Sequence, residues 1–151
     1  MKKVFSVILA ALLLGSAVAV AQPRALGIRG GYGVELSYQH YAGSDNFIEG
    51  DLGLWGNGFY VSGIYDFVFA KSGIVNFYAG PGAQIGFYGY TNDEGNRATG
   101  FNAGIAGQLG AEFEIPTIPL NISIDWKPVF YFTNGNGFGW NGFALGLRYR
   151  F

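Results

Sequence analysis

The sequence predicts an all-β chain whose strands close into one eight-stranded antiparallel up-and-down barrel. Gly, Tyr and Phe are abundant, with 26, 10 and 14 copies among 151 residues, and these residue types either weaken helices or favour strands. From residue 25 onward, apolar residues alternate with polar or small ones, which is the period of a strand with two different faces. Turn-forming segments divide this alternation into eight strands.

The first 21 residues read as an export signal that precedes the barrel. Lys2 and Lys3 supply positive charge, an apolar run follows at 4–14, and Ala19 to Ala21 form an A-x-A cleavage site. A membrane-anchoring helix is the alternative, but the apolar run is short for a span that needs about 20 residues. We therefore predict a secretory signal peptide at 1–21, cleaved after Ala21, and a barrel domain at 22–151.

The alternation sets the strand boundaries, and short turns join the strands. The boundary at 30–33 is the hardest to place because three of its four residues are Gly. Several predicted strands are long for a soluble domain, whereas a membrane strand needs about 9 to 11 residues. The predicted strands are 25–31, 33–41, 47–55, 59–69, 74–90, 100–115, 120–132 and 140–151.

Within these strands, every charged residue lies on the same parity, that is, at the same alternate positions, as Gly, Ser, Asn and Gln. The opposite parity is apolar and rich in aromatic rings. An eight-stranded barrel is too narrow inside for so many aromatic side chains, so we predict that the apolar face points outward to lipid. An Arg or Lys facing the middle of the bilayer would cost about 2 to 4 kcal/mol. The predicted interior charge network, with a structural role, comprises Arg29, Glu35, Glu49, Asp51, Asp66, Glu112, Glu114, Asp125, Lys127, Arg148 and Arg150.

Within a lipid bilayer the barrel must also be closed, because the unpaired backbone N–H and C=O groups of an open sheet edge would have no hydrogen-bond partners in lipid. An even strand count places both chain ends on the periplasmic side, and the segments 91–99 and 133–139 then face outside. The same topology sorts outward-facing rings into two interfacial belts. One belt holds Tyr38, Phe67, Phe77, Phe113, Tyr149 and Phe151, and the other Trp55, Phe59, Phe87, Phe101, Phe130, Phe132 and Phe143.

The C-terminal segment FALGLRYRF alternates apolar and aromatic residues up to a terminal Phe. With this ending, the segment 22–151 resembles the small eight-stranded outer-membrane barrels of Gram-negative bacteria, the class typified by OmpX and the OmpA membrane domain. The Gly-rich segment 76–86 also resembles a central strand of such barrels. The resemblance implies an outer-membrane location, contacts with membrane lipids and lipopolysaccharide, and recognition by the barrel-assembly machinery. The implied assembly signal comprises Phe143, Leu145, Leu147, Tyr149 and Phe151.

Candidate catalytic groups are few. His40 is the only histidine, and Ser37 lies on the opposite parity, so a nucleophile paired with a base is not expected. Paired interior acids could serve glycoside hydrolysis or bind a cation, but interior Arg and Lys favour a salt-bridge network. Asp93 and Glu94 could bind a divalent cation among lipopolysaccharide phosphates, although a solvated loop is favoured. The chain has no Cys, and we expect no catalytic residue, metal site or cofactor.

Charge and barrel width disfavour two further functional classes. Without the signal peptide, seven bases face ten acids, which disfavours nucleic-acid binding. An eight-stranded interior holds side chains only, which disfavours a general diffusion pore. We expect a monomeric, non-enzymatic outer-membrane barrel with a structural or surface-interaction role, either weak adhesion or envelope integrity. The alternatives are an outer-membrane enzyme acting on lipid acyl chains and a secreted soluble barrel that binds a small apolar ligand.

Overall fold

The computed structural model describes residues 24–31, 33–43, 45–133 and 137–151. The predicted signal peptide at 1–21 lies outside these residues. Ten β-segments follow one another, and no helix interrupts them in the described part of the chain. They are β1 (Arg24–Gly31), β2 (Val34–Tyr41), β3 (Asn46–Trp55), β4 (Gly58–Ser72), β5 (Val75–Thr91), β6 (Arg97–Glu114), β7 (Leu120–Trp126), β8 (Val129–Tyr131), β9 (Gly137–Gly139) and β10 (Phe143–Arg150).

The ten segments make eight antiparallel crossings of one closed barrel, which confirms the predicted fold. β7 and β8 are the two halves of the seventh crossing, interrupted where Pro128 lacks a backbone donor. β9 and β10 are the two halves of the eighth crossing. Each crossing pairs with its neighbours in sequence, and pairing of β1 with β10 closes the ring. Within the described residues, no apolar helix has the length needed to cross a membrane.

The two faces of the wall point as the parity predicts. Phe77, Ile85, Leu109 and Phe130 are exposed on the outer surface, while Glu112 is 1% exposed and Lys127 is 4% exposed in the interior. All of the predicted belt residues with described side chains are also exposed outside. The barrel is therefore apolar outside and charged inside, which is the reverse of a soluble protein.

Several turns are shorter than the sequence suggests, because the hairpins extend further. Residues 97–99 pair with 89–91, so the turn between β5 and β6 is 92–96. Asn92 closes that turn, as its Oδ1 accepts the backbone N–H groups of Glu94 and Asn96. Residues 137–139 pair with β8, so they are not loop. The longer strands also take in Arg24, Lys71 and Arg97, three bases at strand ends.

The interior holds more bulky apolar side chains than its Gly, Ser and Asn content suggests. Phe47, Ile64 and Tyr78 are at most 1% exposed and lie on the charged parity. Glycine makes room for such rings, because a methyl group at Gly110 would overlap the Tyr78 ring. The same relation joins Gly53 to Tyr60 and Gly100 to Tyr88. A β-bulge between Val68 and Ala70 shifts the register of β4 against β5.

Candidate functional site

The barrel interior, or lumen, brings together the chemistry-bearing residues of the chain. We call the end where β1 is followed by β2, β3 by β4, β5 by β6 and β8 by β9 the loop end. The other end is the terminal end, where Arg24 and Phe151 exchange two backbone hydrogen bonds of 3.0 and 2.8 Å. Among the described residues, six acids and three bases are buried between these ends. They are Glu35, Glu49, Asp51, Asp66, Glu112 and Asp125, with Arg29, Lys127 and Arg148.

Arg29 lies at the centre of the charged cluster. Its guanidinium contacts the carboxylates of Glu35 and Asp125 directly. It also lies 3.5 Å from Asp51 Oδ2 and 3.7 Å from Glu49 Oε1. Five N–H donors in a rigid fork suit this many acceptors, whereas the ammonium group of Lys has three donors. Full burial of Arg29, at 1% exposure, means that side chains fill the lumen at this level.

Lys127 extends the cluster toward the loop end. Its Nζ donates to Glu35 Oε1 at 3.0 Å, to Asp51 Oδ2 at 2.9 Å and to Ser62 Oγ at 3.0 Å. Tyr60 covers this ammonium group, with its ring centroid 5.8 Å from Nζ, and its hydroxyl donates to Glu35. All three donors of the ammonium group therefore have acceptors.

Arg148 forms the centre of the cluster toward the terminal end. It donates to Ser37 Oγ at 3.0 Å, to Ser123 Oγ at 2.8 Å and to Glu49 Oε1 at 3.0 Å. Glu112 lies 4.0 Å from its Nη1 and accepts a 3.0 Å bond from Asn121. Arg148 is fully buried, so the lumen is filled here as well.

The remaining predicted network residues lie at the margins. Arg150 and Glu114 pair at 3.3 Å with side chains 27% and 35% exposed, at the rim of the terminal end. Asp66 is fully buried, and the structure gives it one hydrogen bond, from Gln108 Nε2 at 3.3 Å. Among the described residues, no Arg or Lys pairs with it. The structure thus joins eight of the eleven residues in one central cluster of ionic contacts, with Asp66 beside it, and places the remaining pair at the rim.

Between Lys127 and the loop end, the lumen opens into a cavity of about 200 Å³, which we call the vestibule. Its described wall contains hydroxyl, amide and glycine residues together with Phe59, Phe87 and Val129, and of these lining residues Glu35 and Lys127 alone carry charge. Sequence reasoning did not single out the polar ones, although those named next share the charged parity of their strands. They include Tyr60, Gln84, Gly86, Tyr88, Asn102 and Tyr131.

The candidate catalytic pair is not brought together. Ser37 is buried in the lumen beside Arg148, whereas His40 lies on the outer parity with Nδ1 3.3 Å from the Tyr38 hydroxyl. Asp93 and Glu94 are exposed in the turn between β5 and β6. In the part of the chain that the structure describes, no group of three His, Asp or Glu side chains could hold a metal ion.

Comparisons with known proteins support the fold. The chain matches the crystal structure of the N-terminal β-barrel domain of Pseudomonas aeruginosa OprF with a TM-score of 0.68 and 11% identity, covering 86% of this chain and 96% of that one. It matches Ail, the attachment invasion locus protein of Yersinia pestis, at 17% identity, covering 86% and 95%. The TM-score is 0.55 for the complex with the heparin analogue sucrose octasulfate and 0.52 without it.

No family model and no curated protein matches the sequence. At 11% and 17% identity, the structural matches show a shared fold. The predicted resemblance to small eight-stranded barrels is confirmed at that level.

Proposed function

We propose that this chain is an integral outer-membrane barrel with a non-enzymatic role in envelope structure or surface interaction. The observation that carries the proposal is the outer surface of the wall. Large apolar side chains are exposed all around it, whereas monomeric soluble proteins rarely expose apolar patches above a few hundred Å². A bilayer satisfies such a surface, and the closed barrel leaves no unpaired sheet edge in lipid.

Three observations support a surface-interaction role over catalysis. The lumen is filled at Arg29 and Arg148, and Ser37 and His40 lie on opposite faces of β2. Ail, which shares the fold, is named for attachment and invasion, and one of its structures holds a heparin analogue. Short turns at the loop end are the surface that this chain would present to such a partner.

A matched pair of isoleucines tests the membrane location. Ile124 is 52% exposed in the middle of β7, and Ile118 is 45% exposed in the turn before it. Ile124→Arg should destabilise the inserted barrel by about 2 to 4 kcal/mol, and Ile118→Arg by about 0 to 1 kcal/mol, because the cost of Arg depends on depth in the bilayer. Urea unfolding in liposomes measures both. Equal effects, or mature protein that fractionates as soluble without detergent, would refute the proposal.

The same proposal includes an assembly signal at Phe143, Leu145, Leu147, Tyr149 and Phe151. All five side chains are exposed on the outer surface, where the assembly machinery could contact them. Deleting Phe151 should abolish the heat-modifiable folded form in the outer-membrane fraction. Phe113→Ala, which removes another exposed ring at the terminal end, is the control and should assemble. Normal assembly of the truncated chain would rule out the signal.

A further inference from the structure

Arg24 is a base on the apolar side of the wall. Its neighbour Ala25 is fully buried in the lumen, so the alternation along β1 directs Arg24 outward. The other two bases near the terminal end, Lys71 and Arg150, each pair with an acid, at 2.8 and 3.3 Å. Among the described residues, no carboxylate forms an ion pair with Arg24. Its guanidinium group therefore remains available to an anion from outside the chain.

Strand pairing places Arg24 in the aromatic belt at the terminal end. His40 of β2 is its partner on one side, and Phe151 exchanges two backbone hydrogen bonds with it on the other. Tyr38 and Tyr149 lie in the next outward-facing row, two residues nearer to the middle of the wall. Interfacial rings mark the level of the lipid headgroups in a membrane protein. Arg24 therefore lies at the height of the lipid phosphates.

Tyr38 and His40 add a further donor beside the guanidinium group. The Tyr38 hydroxyl and His40 Nδ1 lie 3.3 Å apart. When Nδ1 accepts the hydroxyl hydrogen, Nε2 carries the N–H of the neutral ring, and when Nδ1 donates, the hydroxyl keeps its own hydrogen. In either tautomer, the pair thus retains one donor for an outside acceptor. Because residues directly opposite on adjoining strands have Cβ atoms about 4.5 to 5.5 Å apart, His40 and Arg24 are close enough to share one anion.

The wall next to Arg24 fits acyl chains. Farther toward the middle of the barrel, Ile28 pairs with Leu36 and Leu147, and all three side chains are exposed on the outer surface. A molecule that binds along this column needs an anionic group at Arg24 and an apolar tail beyond it. A phospholipid has both parts, whereas inorganic phosphate lacks the tail. The planar fork of a guanidinium group also matches two oxygens of a phosphate group.

We propose that Arg24, together with the Tyr38 and His40 pair, binds the phosphate group of one phospholipid in the leaflet at the terminal end. The inference rests on the proposed membrane location and adds a specific lipid site to it. The lipid tails lie along the column of Ile28, Leu36 and Leu147. One lipid is thereby held at a fixed position beside the β1–β10 closure of the barrel.

Arg97 provides a matched control, because it is also an outward-facing base but lies beyond the belt at the loop end. Phe59, Phe87 and Phe101 form one row of that belt. Arg97 precedes Phe101 by four residues on β6, which is about 13 Å along the strand and about 10 Å along the axis of a tilted barrel. The headgroup layer is about 5 to 8 Å thick on each side. Arg97 therefore lies outside that layer.

Solid-state NMR in vesicles tests the contact between Arg24 and phosphate. The barrel with isotope-labelled arginine is folded into vesicles of phosphatidylcholine and phosphatidylglycerol in phosphate-free buffer, and heat-modifiable migration checks its insertion. We expect lipid phosphorus to dephase a guanidinium nitrogen signal of the parent. Arg24→Gln should remove most of this dephasing, and Arg97→Gln should leave it. No dephasing in the inserted parent, or equal losses in the two variants, would overturn the inference; failure to insert would overturn the membrane proposal on which it rests.

Native mass spectrometry of the barrel released from a non-ionic detergent measures the affinity of the first bound lipid. Arg24→Gln should weaken binding of phosphatidylglycerol about fivefold, the effect of one base at an anionic membrane surface. Arg24→Lys keeps the charge and should retain most of the affinity. Diacylglycerol, which has the tails without the phosphate, should bind more weakly, and inorganic phosphate should not displace the lipid. Unchanged affinity in Arg24→Gln, equal binding of diacylglycerol, displacement by inorganic phosphate, or tighter binding of rough lipopolysaccharide would overturn the assignment to a phospholipid.

Discussion

The middle of the lumen and the vestibule are built from the same parity of the same wall, yet one is filled and the other is open. In the middle, the long side chains of Arg29 and Arg148 reach across the barrel to acids on other strands. Near the loop end, Gly33, Gly86 and Gly142 replace long side chains, and a cavity of about 200 Å³ results. Because the number of strands is the same in both regions, local side-chain length and charge decide whether the lumen is filled.

The largest expected effect comes from removing the central cation. Arg29→Met should destabilise the barrel by about 3 to 5 kcal/mol, because four buried carboxylates near it lose their shared partner. Urea unfolding followed by Trp fluorescence measures the loss. Asn102→Ala in the vestibule should change stability by less than about 1 kcal/mol, because no hydrogen bond to Oδ1 is lost. Equal losses of stability for the two substitutions would show that the middle of the lumen and the vestibule do not differ in this way.

A smaller difference in stability is expected between alanine substitutions at two glycines that pack against tyrosine rings. Gly110→Ala meets Tyr78, which is fully buried and cannot move, so overpacking should cost about 1 to 3 kcal/mol. Gly53→Ala meets Tyr60, which can swing into the vestibule, and should cost about half as much. Gly50→Ala is the control, since nothing lies within 4 Å of the added methyl group. Thermal shifts of the heat-modifiable band rank the three, and a larger shift for Gly53→Ala would contradict this account.

The smallest effect is expected at the acid without a base. Asp66→Asn should leave stability within about 1 kcal/mol of the parent, since the buried acids of the lumen outnumber its bases and Asp66 has no ion pair among the described residues. Asp51→Asn is the comparison, because Asp51 pairs with Lys127 at 2.9 Å and with Arg29 at 3.5 Å. Urea midpoints at constant pH measure both. A loss of stability for Asp66→Asn as large as that for Asp51→Asn would show that ion pairing does not determine how much each of these acids contributes to stability.

Parity alone was enough to place each network residue on the lumen face, because a strand exposes its two faces with period two. Parity also placed Phe47 and Tyr78 on the lumen face, because Phe47 shares the parity of Glu49 on β3 and Tyr78 that of Gln84 on β5. The sequence prediction did not name them, although a filled lumen needs bulk as well as charge. Glycines across the wall, such as Gly110 for Tyr78, make that bulk possible.

Pairing within the network was beyond sequence reasoning. Arg29 and Asp125 are separated by 96 positions and meet because their side chains cross the lumen. The register of every hairpin and the β-bulge after Val68 determine which residues lie at the same height in the lumen. A slip of one residue in any strand pair would reverse the two faces of that strand. The vestibule depends on register in the same way, because it forms where several residues with short side chains lie at the same height in the lumen.

The amino-acid sequence by itself determined eight crossings, the closed antiparallel wall and the side of that wall on which each residue of the predicted charge network lies, because these follow from local alternation and from turn residues. Only the tertiary structure decided which acid meets which base, that Asp66 meets none among the described residues, and that a cavity opens beside Asn102. These features depend on distances across the lumen, and such distances are fixed only when all the ladders close together.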